Sequence, residues 1–220
     1  MFDVTLSFDN GPEPEVTPMV LDILARRGIK ATFFVIGEKL SDPVRRALAE
    51  RAHAEGHWIG NHTFTHSVPL GRQQGDDVAA QEIGRTQDLL AELAHPDRLF
   101  RPYGAGGNLD DALLSDSVVE FLTRARYTCV LWNAIPRDWD DPHGWVERAL
   151  GQCRSSAWSL MVLHDLPTGA MQHLDRFIAM LRETGARIRQ EFPPSCVPIV
   201  RGDVVLPIDA YVSRNVASRS

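Results

Sequence analysis

Residues 4–12 read Val4-Thr5-Leu6-Ser7-Phe8-Asp9-Asn10-Gly11-Pro12, an alternation of apolar and small polar residues that stops at an acid, an amide and a turn. The alternation predicts a strand over 4–8, and the turn residues predict that the chain leaves the sheet directly after it. The loop after this strand separates two fold classes. An open, doubly wound sheet that binds a phosphate wants a glycine-rich loop here, and the Asp9 carboxylate would repel such a ligand. The residues favour instead a distorted, TIM-like (β/α) barrel, whose chemistry sits on loops at the carboxyl ends of its strands.

The rest of the chain continues the alternation. Thr17 and Pro18 supply an N-cap and a first-turn proline for a helix closed by Gly28. A β-branched and aromatic run over 31–36 predicts the second strand, and Asp42-Pro43 opens a helix stopped by Gly56. Further strands are expected over 57–60, 98–101, 127–132 and 158–163. Helices are expected from Asp76 or Asp77 to about residue 93, over 116–126, from Asp141-Pro142 to about 153, and over 173–183. Residues 188–211 mix prolines with short apolar runs. No repeat or linker divides the chain, so one domain is expected over 1–213, with a solvated tail over 214–220.

Composition narrows the function. The 220 residues are 44% hydrophobic, enough for one substantial core, and their formal net charge is −6. That charge argues against a nucleic-acid or anionic-membrane partner, both of which need a basic field. No apolar run approaches the roughly 20 residues that span a bilayer, and no leader is visible, so the sequence as it stands reads as cytoplasmic, or as extracytoplasmic if a leader has been removed. Cys129, Cys153 and Cys196 are odd in number and widely spaced, which suits reduced thiols better than a disulfide framework or a zinc site.

The unusual polar residues fall where a barrel would gather them. Asp9-Asn10, the pair His62 and His66, Arg101, Asp138-Trp139 and His164-Asp165 all follow expected strands. Each has an ordinary reading: turn residues, a strand-end charge, a helix cap, a core histidine. Five such groups on one rim are harder to attribute to chance. His62 and His66, four apart, would face one way on a helical turn and share a cation, but no HExxH glutamate accompanies them. A third ligand and a base must come from elsewhere, and Asp9-Asn10 could give both. His53, His57, His95, His143 and His173 have no comparable placement and read as structural.

At these residues the sequence resembles the polysaccharide deacetylase family, the NodB-homology domain of carbohydrate esterase family 4. Leu6-Ser7-Phe8-Asp9-Asn10-Gly11-Pro12 resembles the opening T-F-D-D-G motif, and Gly60-Asn61-His62-Thr63-Phe64-Thr65-His66 resembles H-[ST]-x-x-H. Arg101-Pro102-Tyr103 resembles R-x-P-Y, Arg137-Asp138-Trp139 the end of D-x-x-D-W, and Leu163-His164 the closing L-x-H motif. Their order and spacing cover about residues 4–185.

The resemblance implies a metal-dependent hydrolase that removes acetyl groups from N-acetylated sugars such as chitooligosaccharide or peptidoglycan. It implies a divalent ion, zinc above all, held by Asn10, His62 and His66. Asp9 would be the base and His164 the acid. Arg101 would orient Asp9, Asp138 would tune His164, and Tyr103 and Trp139 would contact the substrate, Tyr103 through its backbone N–H. The sequence departs from the pattern at three places. Asn10 replaces an acidic ligand, the third motif is one residue short, and Ile135 stands where the fourth motif begins with an acid. A glycan-binding pseudoenzyme and an amidase or deformylase for a small amide are the alternative readings.

Overall fold

All seven residues of the first strand, β1 (Asp3–Asp9), are buried, as a strand covered on both faces in the middle of a parallel sheet should be. A computed structural model describes residues 1–213, and the tail expected over 214–220 lies outside the described residues. After β1 come α1 (Thr17–Arg27), β2 (Thr32–Val35), α2 (Pro43–Ala54), β3 (Trp58–Asn61), α3 (Arg85–Leu90) and β4 (Leu99–Phe100). The second half adds β5 (Leu114–Ser115), α4 (Asp116–Arg124), β6 (Thr128–Cys129), α5 (Trp145–Arg154), β7 (Trp158–His164) and α6 (Leu174–Glu183). Four short strands finish it: β8 (Arg187–Arg189), β9 (Ile199–Val200), β10 (Asp203–Val204) and β11 (Val212–Ser213).

The main sheet runs β10-β9-β6-β4-β3-β2-β1-β7, with β8 alongside the start of β1. From β6 to β7 every neighbouring pair is parallel. A parallel bridge between Ala134 and Met161 then brings the chain after β6 against β7. Ala134 N–H donates to the Leu160 carbonyl at 3.2 Å, and Val162 N–H donates back to the Ala134 carbonyl at 2.9 Å. The sheet thus curls into a distorted (β/α) barrel, and the carboxyl ends of β1, β3, β4 and β7 share a rim. Helices α1, α5 and α6 cover one flank, with Leu21, Leu24, Trp145, Phe177 and Leu181 in the same buried cluster as Leu6 and Phe8. Truncating one such side chain to alanine costs about 2–5 kcal/mol. Among the described residues, no helix is long and apolar enough to cross a membrane. The three cysteines are free and buried.

Local expectations meet the structure unevenly. Asp42 caps α2, its Oδ1 accepting from Val44 N–H at 2.8 Å, and Gly28 ends α1 with φ 64°. Thr17 does not cap α1: Val16 holds that position, and the Thr17 hydroxyl accepts from Glu13 N–H at 2.7 Å and donates to Asp165. The helix expected from Asp76 or Asp77 contains a π-helical turn (Ala80–Gly84) before α3 and a 3₁₀ turn (Ala91–Leu93) after it. The strand expected over 127–132 is regular only in β6, because the chain beyond leaves its β4 partner to reach β7.

Candidate active site

At the shared rim lies a cavity of about 230 Å³ lined by Asp9, Asn10, His62, His66, Tyr103, Trp139 and His164, with Trp132, Ile135 and the Gly104–Gly107 loop as walls. Arg101 and Asp138 stand directly behind it, each completely buried. All nine residues singled out in the sequence therefore gather in one place. Of the histidines read as structural, none lines this cavity.

Asp9 and His164 end two adjacent parallel strands in register with each other, so both side chains leave the sheet on the same face. Arg101 follows β4. One guanidinium nitrogen donates to Asp9 Oδ1 at 2.8 Å and to the Ser7 hydroxyl at 2.7 Å, and the others reach the carbonyls of Val130 and Leu131. The one-residue-short third motif thus still delivers its arginine to Asp9. A buried cation with a carboxylate and three neutral acceptors has the partners that burial demands.

His62 follows β3, and its Nδ1 donates to the Arg101 carbonyl at 2.8 Å. That bond fixes the tautomer and leaves Nε2 with a free lone pair, 3.6 Å from Asp9 Oδ2. Burial, reinforced by the Arg101 and His164 charges, pushes the His62 pKa down to about 3. Burial and the neighbouring His62 bring His66 to about 3 as well. The two rings lie 4.7 Å apart, and His66 lies 4.0 Å from the Tyr103 ring. Both are neutral at physiological pH, the state in which imidazole binds metals.

Their convergence does not come from a helical turn. Thr63 and His66 have positive φ values of 67° and 51°, and the segment is a loop fastened by its own polar groups. Asn61 Oδ1 accepts from Thr63 N–H at 3.1 Å, and the Thr63 hydroxyl accepts from His66 N–H at 3.2 Å. Glu82, buried in the π-helical turn, accepts from the Phe64 and Thr65 amides at 3.0 and 2.9 Å and from the Thr65 hydroxyl at 2.7 Å. Sequence reasoning missed Glu82; an acid set among the apolar residues Ala79, Ala80 and Ile83 was the available signal.

Asn10 also takes a left-handed conformation, with φ 73°, and its Oδ1 is buried with no hydrogen-bond partner among the described residues. An acceptor withheld from water without a donor is costly unless something else meets it. No cluster of three or more His, Cys, Asp or Glu side chains suited to a metal occurs among the described residues. The candidate ligand set is two imidazoles and this amide oxygen, and the orphaned oxygen together with two neutral, pre-oriented imidazoles fits a divalent ion.

On the other side of the cavity Asp138 grips His164 twice, Oδ1 to the ring Nδ1 at 2.9 Å and Oδ2 from the backbone N–H at 2.8 Å. Burial works against a charged His164, but the Asp138 carboxylate, helped by Asp9 and Asp165, overrides it and raises the pKa. Trp139 meets the His164 ring edge-on at 4.7 Å. Behind His164, burial pushes Asp165 up to about 7. Its carboxyl group fills the space where any side chain at Gly11 would stand, so the turn after Asn10 requires glycine.

Known proteins share this architecture. A family model described as polysaccharide deacetylase matches residues 2–127. A chitooligosaccharide deacetylase of Sinorhizobium fredii is 37% identical over 168 residues, covering 74% of this chain and 71% of that protein. A peptidoglycan-N-acetylglucosamine deacetylase of Bacillus cereus is 31% identical over 193 residues, covering 84% of this chain but only 65% of its own length. Among solved structures, the Bc1960 peptidoglycan N-acetylglucosamine deacetylase superposes with a TM-score of 0.72 at 30% identity, over 91% of this chain and 90% of that one. Sequence motifs, barrel and cavity agree with these likenesses, and the chain belongs to the polysaccharide deacetylase family.

Proposed function

We propose that the protein hydrolyses the acetamide of an N-acetylated glycan, releasing acetate and leaving a free amine on the sugar. Membership of its family makes it a hydrolase of carbon–nitrogen bonds other than peptide bonds. Relatives named for chitooligosaccharide and for peptidoglycan N-acetylglucosamine share the acetamidosugar, which supports this substrate class. The observation that carries the reading is the opposition of Asp9 and His164. One carboxylate and one imidazole of raised pKa share a single cavity with two imidazoles kept neutral.

Asn10, His62 and His66 would hold a divalent ion, which when bound polarises a carbonyl and eases ionisation of water. Asp9, steadied by Arg101, accepts a proton from the water that adds to the acetamide carbon. The Tyr103 backbone N–H donates to the oxygen on which negative charge develops. His164, its pKa raised by Asp138, gives its proton to the nitrogen as the carbon–nitrogen bond breaks. Trp139 and Ile135 wall the cavity in which the acetamide would sit. A binder without turnover would need neither the base nor the acid.

The test is acetate release from N-acetylglucosamine oligomers, beside small formamides, by wild type and by Asp9→Asn. The variant should retain bound metal and lose turnover. Undiminished deacetylation would remove Asp9 from its role, and preference for a formamide would replace the substrate class.

A further inference from the structure

His143 and His173 lie outside the cavity, yet on the two segments that leave it. His143 is on the turn between Asp138 and α5, and His173 precedes α6 on the chain that continues from His164. Nδ1 of His143 stands 3.4 Å from Nε2 of His173, with the ring planes at 64°. As a hydrogen bond this contact is long and weak, beyond the usual span of about 2.7–3.2 Å. Two nitrogens on one tetrahedral zinc, each at about 2.0–2.1 Å, stand about 3.3–3.4 Å apart.

The surroundings hold the two segments in place without help from the pair. Asp141 accepts from the His143 and Gly144 amides at 3.3 and 2.9 Å and pairs with Arg148 at 2.9 Å. The buried Trp145 indole donates to the Ala170 carbonyl at 3.0 Å, tying the start of α5 to the turn that carries His173. Of the cations on α5 and α6 beside the pair, Arg148 is matched by Asp141 and Arg176 by Glu147. An ion arriving there meets two imidazoles already at ligand spacing.

We propose that His143 and His173 form a second divalent-metal site, with water completing the coordination shell. Its ion is a borderline transition metal such as Zn²⁺, Ni²⁺ or Cu²⁺, because imidazole suits these whereas Mg²⁺ and Ca²⁺ demand oxygen. Bound metal clips the segment bearing Asp138 and Trp139 to the segment following His164, and so braces the acid pair from outside.

Calorimetric titration with Ni²⁺ tests this without reference to activity. One binding equivalent should persist in His62→Ala, disappear when His143→Gln or His173→Gln is added to that variant, tighten with Cu²⁺ and give no heat with Mg²⁺. Bound Ni²⁺ should also raise the melting temperature of His62→Ala by a few degrees, a shift absent once His143 is also replaced by Gln. If His62→Ala does not fold, wild type and His143→Gln titrated to saturation supply the same comparison, one equivalent apart. Equal stoichiometry in wild type and His143→Gln overturns the proposal. Wild type that binds the His143-dependent equivalent and no other would count against the cavity's ligand set and leave this site standing.

Discussion

His62 and His164 open on the same cavity and are almost equally hidden from water, at 3% and 8% exposure, yet their proton affinities move apart. His62 falls to about 3, whereas His164 rises. Burial opposes the charged form in both, so the partner decides. His62 donates to a neutral carbonyl and lies close to the Arg101 guanidinium. His164 rests on the Asp138 carboxylate. His57 supplies a control: buried with Ala31 N–H donating to its Nδ1, it drops to about 4. Under the proposed function, one half of the cavity would hold lone pairs toward a cation and the other a proton toward a leaving group.

The largest test of that division is His164→Ala. If His164 is the proton donor, kcat should fall by about 10²–10⁴-fold with metal content intact. A loss confined to KM would make it a binding residue, and the two halves would no longer differ in kind.

Asp138→Asn asks whether the partner, rather than the position, sets the difference. Removing the carboxylate leaves burial opposed only by the more distant Asp9 and Asp165 charges, so the His164 pKa should drop from its raised position. The acid must be protonated to act, so wild-type activity is lost as pH rises through the raised pKa, and in the variant that limb moves to lower pH. Each unit of displacement removes about tenfold of the protonated form on the alkaline side, so kcat there should fall with the limb. A pH profile unmoved in the variant would show that Asp138 only orients the ring.

On the other half, Glu82→Ala removes the acceptor that gathers the Phe64 and Thr65 amides beneath the histidine loop. Groups that orient metal ligands typically change metal affinity by about 10–100-fold. Metal affinity should fall in that range while the alkaline limb, which belongs to the Asp138–His164 half, stays in place. Movement of both would mean that the halves are mechanically coupled.

The reactive groups and the contacts that support them are not equally legible in sequence. Asp9, His62, Arg101 and His164 follow or end apolar runs, and in a parallel barrel such positions share a rim whatever the loops do. The supports escape that logic. Glu82 is one acid among 29 Asp and Glu residues, and its role depends on a loop with two left-handed residues that periodicity does not signal. Arg101's reach depends on how far β4 carries it toward β1, a matter of strand packing and not of motif spacing. Asp138 meets His164 only because the Ala134–Met161 bridge closes the barrel, a contact made by a segment with no regular strand pattern.

Asn10 lies at the boundary between the halves and should give the smallest effect, with the most informative sign. Its left-handed backbone is one that Asn and Asp tolerate better than most residues, so Asn10→Asp should fold without new strain. In the absence of metal the new carboxylate would stand beside Asp9, with the buried Arg101 already committed to Asp9, and like charges in a shielded place repel. The metal-free variant should therefore melt below metal-free wild type. With a divalent ion present the order should reverse, because an anionic oxygen attracts the ion more strongly than the neutral amide oxygen now left without a partner. The gain should be about tenfold in affinity, which is about 1.4 kcal/mol. Melting curves of both proteins with chelator and with zinc would show the crossing directly. Curves that keep the same order under both conditions would mean that the Asn10 oxygen faces no ion, and that the two imidazoles find their third ligand elsewhere on the rim.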